Sequence, residues 1–560
     1  MPAIFLEITL ALVLASFLGA LASFFKQPLV FGYILAGLII GPVFSTFSGQ
    51  EIFASFAQVG IALLLFLVGL ELKFQNLQGF SKKIPLITFI QVLLTFAVVF
   101  AVAKYLNLSQ TNAVLLALVS VFSSTALVVK LLSDKRDLDS LYGQITVGIL
   151  ILQDLLAIAV LIVLSQLGDF TPTFIAAGII LKGLTLIILV ILLKEFLLAY
   201  IFDKLAKNLE VLFLGALSYA FMMAALANFL DFSPSAGAFL AGLSLANTRE
   251  EYQIASRIRP LRDFFLVIFF VFLGTQISLS NLKVLFNQAL IISLAIILVK
   301  VISVTLSMLY LGFRKRTALF TGLSLAQISE FSLVLILVLV SFQLIEPETV
   351  SLVTLVSLIT FALSSYLVIF DRKIINYLSP LLSLLERRNP SEKIRKEEGE
   401  LKDHVVLIGC GRLGSNLLGL FKRKKVPTLV VDFNPLVVNR LDSEGINTLF
   451  GDISDPEIVE QARLKEAKLI VSTVFDKEDN LQVLNELKKR GSALTKIVTS
   501  PTEKGALELY EKGADYCIIP RILGGEKTVE LLLQSWKKEI NLSGLKETHL
   551  KELKERVGNN

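Results

Sequence analysis

From Met1 to about Phe370 the chain is a nearly unbroken series of apolar segments, whereas everything after Asp371 has the charge content of a soluble domain. At 54% hydrophobic and only 18% charged, it is too apolar for an ordinary water-soluble chain of this length. With ~20 apolar residues needed to cross the hydrocarbon core, thirteen spans are expected, at about 3–21, 29–46, 53–73, 84–104, 111–132, 141–165, 173–201, 209–229, 234–247, 263–278, 285–312, 317–341 and 349–370. The expected organisation is a multi-span α-helical membrane domain (1–378), a charged linker (379–402), a nucleotide-binding domain (403–525) and a charged helical tail (526–560).

Alternate loops hold nearly all the basic residues: Lys26, then Lys73, Lys82 and Lys83, Lys135 and Arg136, Lys204 and Lys207, Arg249 to Arg262, Arg314 to Arg316, and Arg372 with Lys373. The excess of positive charge on cytosolic loops then puts the N-terminus outside and the C-terminal domain in the cytosol. Ile4 to about Leu21 lacks a basic leader and a small-residue cleavage site, so it reads as a retained span. The formal net charge of +6 does not point to nucleic acid, because the basic residues alternate with acidic ones in the tail and otherwise sit in short loops. Cys410 and Cys517 are far apart, and His404 and His549 lie in no HExxH or Cys/His cluster, which argues against a disulfide framework and against metal-dependent hydrolysis.

Charged and polar side chains in the apolar segments carry the functional signal. The sixth span, ITVGILILQDLLAIAVLIVL, has Gln153 and Asp154 near its middle. An Asp at a helix centre costs roughly 3 kcal/mol on insertion scales, and such residues usually face an aqueous cavity and handle ions or protons. Burial disfavours the charged form, so Asp154 can alternate between holding a proton and holding a cation; the alternative is a structural bond between helices. In the preceding span, Ser123, Ser124 and Thr125 interrupt an apolar run, either as oxygen ligands at a broken helix or as ordinary interhelical packing. Lys300 and Glu330 are further intramembrane charges. Lys300 is expected to pair with Asp154 in a bond that cation entry breaks, the other choice being a structural pair with Glu330. Glu71, near a span end, reads as interfacial or structural.

At these residues the chain resembles the Kef-type potassium/proton antiporters of the cation/proton antiporter superfamily. The motifs are QPLVFGYILAGLIIGP (27–42), LFLVGLEL (65–72), FSSTAL (122–127), LQDLLAI (152–158), GAFLAGLSLANT (237–248) and AQISEF (326–331), followed by a domain of the type that regulates potassium transport. The resemblance implies a sodium/proton antiporter-type fold of about thirteen spans with inverted repeats, a dimerisation domain and a moving core. Its broken helices would cross at Ser123–Thr125 and near Gln327–Glu330. It also implies potassium as the cation held at Asp154, since the Gln-Asp pair at 153–154 is similar to the potassium-selective branch, with sodium as the alternative. Competition of cation and proton for Asp154 would give exchange, 1:1 and electroneutral in the simplest case.

In the soluble part, the strand Val405–Ile408 leads into Gly409, Gly411 and Gly414 of a GxGxxG turn, with Asp432 ending the next strand. Glycines admit phosphates to the helix N-terminus, and the acid bonds ribose hydroxyls, so Gly409, Gly411, Arg412, Leu413, Gly414 and Asp432 form the expected nucleotide site. An acid at 432 argues against an NADP phosphate and leaves NAD(H) or an adenine mononucleotide such as AMP as the regulatory ligand. Asp452 and Thr473 are further candidate contacts, with turn and cap chemistry as the alternative. No second catalytic domain follows, so the domain is expected to sense rather than react, and the chain is not expected to be an enzyme. Such domains generally pair, which implies a homodimer in the inner (plasma) membrane. The Kef branch is controlled by glutathione, and Arg412 matches an arginine of its glycine turn. Against carrying that control over, SRIRPLRD (256–263) is basic where family members are acidic, and only Arg521 lies near the second basic contact. A gated channel is disfavoured because TVGYG is absent, TVGI at 146–149 being the nearest string, and a membrane redox enzyme because no hydride acceptor chemistry is found.

Overall fold

Segments that are apolar all round leave a helix no preferred face, so the polar residues that start and stop each one decide where it lies. Ser109 accepts from the backbone N–H of Asn112, Asn208 from Glu210 and Val211, and Ser233 from Ala236 with Pro234 opening the helix; each supplies an acceptor for donors a helix start leaves free. The computed structural model describes residues 3–43, 50–71, 83–164, 190–386 and 403–537 apart from short gaps within them, together with 546 and 550. The chain divides into two compact units, Met1–Ser391 and Glu392–Asn560.

The first unit holds α1 (Ala3–Phe24), α2 (Leu29–Leu38), α3 (Gln50–Glu71), α4 (Lys83–Tyr105), α5 (Gln110–Ser120), α6 (Thr125–Lys135) and α7 (Leu141–Leu164). After a stretch largely outside the described residues come α8 (Ala199–Leu205), α9 (Leu209–Phe229), α10 (Pro234–Leu245), α11 (Glu251–Thr275) and α12 (Leu282–Tyr310). The unit closes with α13 (Lys315–Ser324), α14 (Glu330–Ser341), α15 (Pro347–Ile369) and α16 (Asp371–Leu385). Among the described residues, eight helical stretches are long and apolar enough to cross a membrane, and two shorter apolar ones accompany them. Most of the seventh expected span, 173–201, and most of the linker, 387–402, lie outside the described residues. The short ninth span is the helix Pro234–Leu245.

Two features place the site. First, α5 and α6 are separated by non-helical residues 121–124, and α13 and α14 by residues 325–329, so two helical segments are interrupted near their middles. Second, α3 and α10 approach so closely that a Cβ on Gly242 would stand 1.9 Å from the Phe66 carbonyl oxygen and one on Gly69 2.2 Å from that of Phe239. Small residues permit this contact where no hydrophobic force drives helices together.

One reading is corrected. The basic stretch taken as a loop, Arg249 to Arg262, is from Glu251 onward the first half of the 25-residue helix α11, which runs through Pro260. Ile254, Ala255 and Ile258 are buried on one stripe, and that burial outweighs the backbone bond Pro260 removes. Arg259 on this half-helix holds Glu71 with two bonds, of 2.7 and 3.0 Å, in a pair exposed on both sides. α16 extends into the stretch assigned to the linker. Its first residue Asp371 pairs with Lys135 at the end of α6, and Glu386 just after it accepts from the Lys315 backbone N–H at the start of α13.

The second unit is a six-stranded parallel sheet in the order β3-β2-β1-β4-β5-β6. The strands are β1 (His404–Ile408), β2 (Thr428–Asp432), β3 (Asn447–Phe450), β4 (Ala467–Ser472), β5 (Thr495–Thr499) and β6 (Tyr516–Ile518). Alternate residues of β1 feed two separate cores: Val406 and Ile408 pack with Val483 and Leu487, while Val405 and Leu407 pack with Leu418 and Leu441. Covered faces are what an all-parallel sheet needs. The strand order reverses at β1, and ligands of such folds bind outside the strand ends at that point.

Candidate functional site

A chain break inside a membrane exposes backbone groups that only protein can satisfy. Here two amides serve the first break. Gln153 accepts from the Ser123 N–H at 2.9 Å and donates to Gln91 Oε1 at 2.6 Å, and Gln91 donates to the Val121 carbonyl at 3.1 Å. Ser123 Oγ donates to the Leu325 carbonyl at 3.0 Å, which joins the two breaks. Ser332 of α14 donates to the Val119 carbonyl.

Lys300 from α12 lies between the breaks, fully buried. Its ammonium donates to the Phe122 carbonyl at 2.6 Å, the Gln327 carbonyl at 2.8 Å and Ser123 Oγ at 3.1 Å, which uses all three of its hydrogens. The expected Lys300–Asp154 pair is therefore absent among the described contacts, and so is the Lys300–Glu330 alternative. The cause is electrostatic: the C-terminal ends of α5 and α13 present uncapped carbonyls with partial negative charge, and a cation there neutralises both.

Asp154 consequently has no positive partner among the described residues. Thr125 Oγ1, on the first residue of α6, donates to it at 2.8 Å, and Glu330 is a like charge in its surroundings. Glu330 opens α14 and accepts, at 3.5 Å, from the Ala126 N–H. Ser124 caps α6 by accepting from the Leu127 N–H. A cavity of about 450 Å³ reaches Ser124 and Glu330 between walls from α2, α3 and α11, with Lys130, Arg262 and Asp263 in its lining.

The fold thus brings Ser123, Ser124, Thr125, Gln153, Asp154, Lys300 and Glu330 into one cluster. Within it Gln153 and Lys300 hold the breaks, while Asp154 and Glu330 form no salt bridge among the described residues; Arg262, on the cavity wall, is the cation that acts on Glu330 through space. Gln91 went unnoticed in the sequence; a lone amide within KIPLITFIQVLLTF was the available signal. Among the described residues no group of three or more His, Cys, Asp and Glu is placed to hold a metal ion.

In the second unit the glycine turn follows β1. Gly409 has φ +79°, and a Cβ on Gly414 would stand 2.1 Å from the Gly409 carbonyl oxygen, so both glycines are required by the backbone itself. Gly411 differs: its φ is −70° and a Cβ there would meet nothing within 4 Å. The open space lies at the N-terminus of the helix Arg412–Arg423 (α17), where backbone N–H groups favour phosphate. Asp432 accepts from the Cys410 N–H at 2.7 Å and the Asn434 N–H at 2.8 Å. Burial pushes its carboxyl above the usual carboxylate range, against the pull of those two bonds. Thr473 Oγ1 lies 2.9 Å from the Gly409 carbonyl, committed to the turn. Leu413 is half-buried in the first turn of α17, and Asp452 lies outside the described residues.

The transmembrane model of the sodium/hydrogen exchanger family matches residues 11–369, and that of the TrkA-N domain matches residues 405–520. The "putative K(+) efflux antiporter KefB" of Alkalimonas amylolytica is 26% identical over 510 residues, covering 89% of this chain and 76% of its own. The "putative cation/proton antiporter YbaL" of Escherichia coli strain K12 is 27% identical over 527 residues, 91% of this chain and 93% of its own. The glutathione-regulated potassium-efflux system protein KefC of the same strain is 24% identical over 513 residues, 90% and 81% respectively.

Proposed function

The chain belongs to the sodium/hydrogen exchanger family, and from that premise we propose that it exchanges potassium for protons across the inner membrane, with Asp154 as the group both ions compete for. The observation that carries the reading is a carboxylate at the crossing of two broken helices with a hydroxyl partner, Thr125, and no counter-charge among the described residues. A bare charge there is costly, so the core crosses when Asp154 holds either a proton or a cation, and that alternation is exchange. Lys300, saturated by backbone oxygens, stays in place through the cycle, which favours electroneutral 1:1 coupling. Potassium is preferred over sodium on the Gln153–Asp154 pair and on the relatives' potassium-efflux names.

The TrkA-N domain is the regulatory part, binding NAD(H) or AMP with its phosphate at Gly411 and its ribose at Asp432, on the cytosolic side by the distribution of basic residues. We place two chains in the working assembly, and assign no catalytic turnover. Glutathione control is not carried over.

The test is reconstitution of the full chain in liposomes containing a pH-sensitive dye, with potassium or sodium pulses, for wild type and Asp154→Asn. Potassium-driven proton movement that disappears in the variant and is indifferent to a clamped membrane potential supports the reading. Sodium-only movement moves the chain to sodium/proton exchange, and potassium conductance without proton movement refutes exchange.

A further inference from the structure

The cavity that leads to the site ends on Glu330 and Ser124; Asp154 is not part of its lining. Adjacent residues at the start of α6 reach the two carboxylates, Thr125 donating to Asp154 at 2.8 Å and the Ala126 N–H to Glu330 at 3.5 Å. Glu330 Oε2 is enclosed and has no hydrogen-bond partner, and the neighbouring Gln327 Nε2, on a residue 1% exposed, has none either. A buried acceptor left without a donor costs about 1–3 kcal/mol, and among the described residues no salt bridge reaches Glu330, Arg262 acting on it only through space. Lys130 and Arg262, the cationic side chains of the cavity lining, do not bond it; Arg262 is bonded to Asp263 at 2.7 Å.

We propose that Glu330 is a second ion-binding carboxylate, the entry ligand through which a monovalent cation or proton passes between the cavity and Asp154. The class of ligand follows from the oxygens on the cavity lining: a carboxylate oxygen without a partner and the Ser124 hydroxyl suit a hard monovalent cation or a proton. Glu330 also accepts at the N-terminus of α6, and a purely structural role would be to cap that helix. The two roles separate experimentally, because glutamine keeps the acceptor oxygen for Ala126 while removing the charge.

This inference rests on the reading of Asp154 as the exchange carboxylate, so Asp154→Asn is measured beside it. In full-chain liposomes, potassium chloride is titrated against the rate of internal pH change for wild type, Glu330→Gln and Glu330→Asp. The expected result for Glu330→Gln is an apparent KM for potassium raised about tenfold, as loss of one nearby charge on a partly screened path implies, with a maximal rate within about threefold of wild type. Glu330→Asp, which keeps the charge, returns KM to within about threefold of wild type. A wild-type KM in Glu330→Gln overturns the inference and leaves a helix cap. Complete loss of exchange in a stable Glu330→Gln protein also overturns it, since Glu330 would then be the exchange group itself. Flux surviving in Asp154→Asn defeats the underlying reading whatever Glu330 does.

Discussion

Replacing Lys300 by methionine separates a structural lysine from a gating one. The variant keeps the length of the side chain and removes its three hydrogen bonds, leaving the Phe122 and Gln327 carbonyls without their donor between two breaks. Each buried acceptor left unmade costs about 1–3 kcal/mol, so the pair costs about 2–6 kcal/mol, reduced where the breaks close on each other. That is a large fraction of the stability a folded protein has. The assay is thermal unfolding of the full chain in detergent, followed by size-exclusion recovery, with cation-driven proton flux measured on the folded fraction at several pH values. Lys300→Met is expected to melt several degrees lower while the folded fraction keeps the pH dependence of exchange, because Asp154 has no bond to Lys300 to lose. A variant as stable as wild type but with a displaced pH profile would refute the reasoning and restore the Lys300–Asp154 gate.

Lys135→Met should destabilise the transport unit measurably in the same melt, because it strands Asp371, whose side chain is 4% exposed; uncompensated buried charge costs about 3–5 kcal/mol, and the double variant with Asp371→Asn should recover part of the loss. Gly411→Ala should leave stability unchanged, since its Cβ meets open space, yet weaken NAD(H) or AMP binding measured by calorimetry, whereas Gly414→Ala should lower both. Nucleotide affinity should fall on acidification at a pH above the ordinary carboxylate range: the folded Asp432 carboxyl is raised by burial, so it protonates sooner on the way down and loses an acceptor. Asp432→Asn should flatten that dependence.

Composition was enough to mark the eight long apolar helices found among the described residues, though not the count of thirteen spans, because a span is a local property: about twenty apolar residues commit a segment to the bilayer regardless of its neighbours. The glycine turn was legible for the same reason. Its strand, turn, helix and acid lie within thirty residues or so, and each glycine answers a backbone demand of its own neighbourhood. The unusual polar residues, Asp154, Lys300 and Glu330, also declared themselves, since each stands in a run where nothing else is charged.

What each of them touches was settled only by the tertiary structure. Lys300 is 146 positions from Asp154, and opposite charges in a membrane invite an ion pair on paper. The carbonyl ends of α5 and α13 compete for the same ammonium, and their negative poles exist only once two helices have broken and met. Gln91 and Gln153 likewise became partners of a break, and the basic stretch after Glu251 became helix because Ile254 and Ile258 found a core to enter. Sequence specifies which groups are out of place in lipid; the three-dimensional fold decides which of them find partners, and in this chain the carboxylates of Asp154 and Glu330 are the ones left without a salt bridge among the described residues.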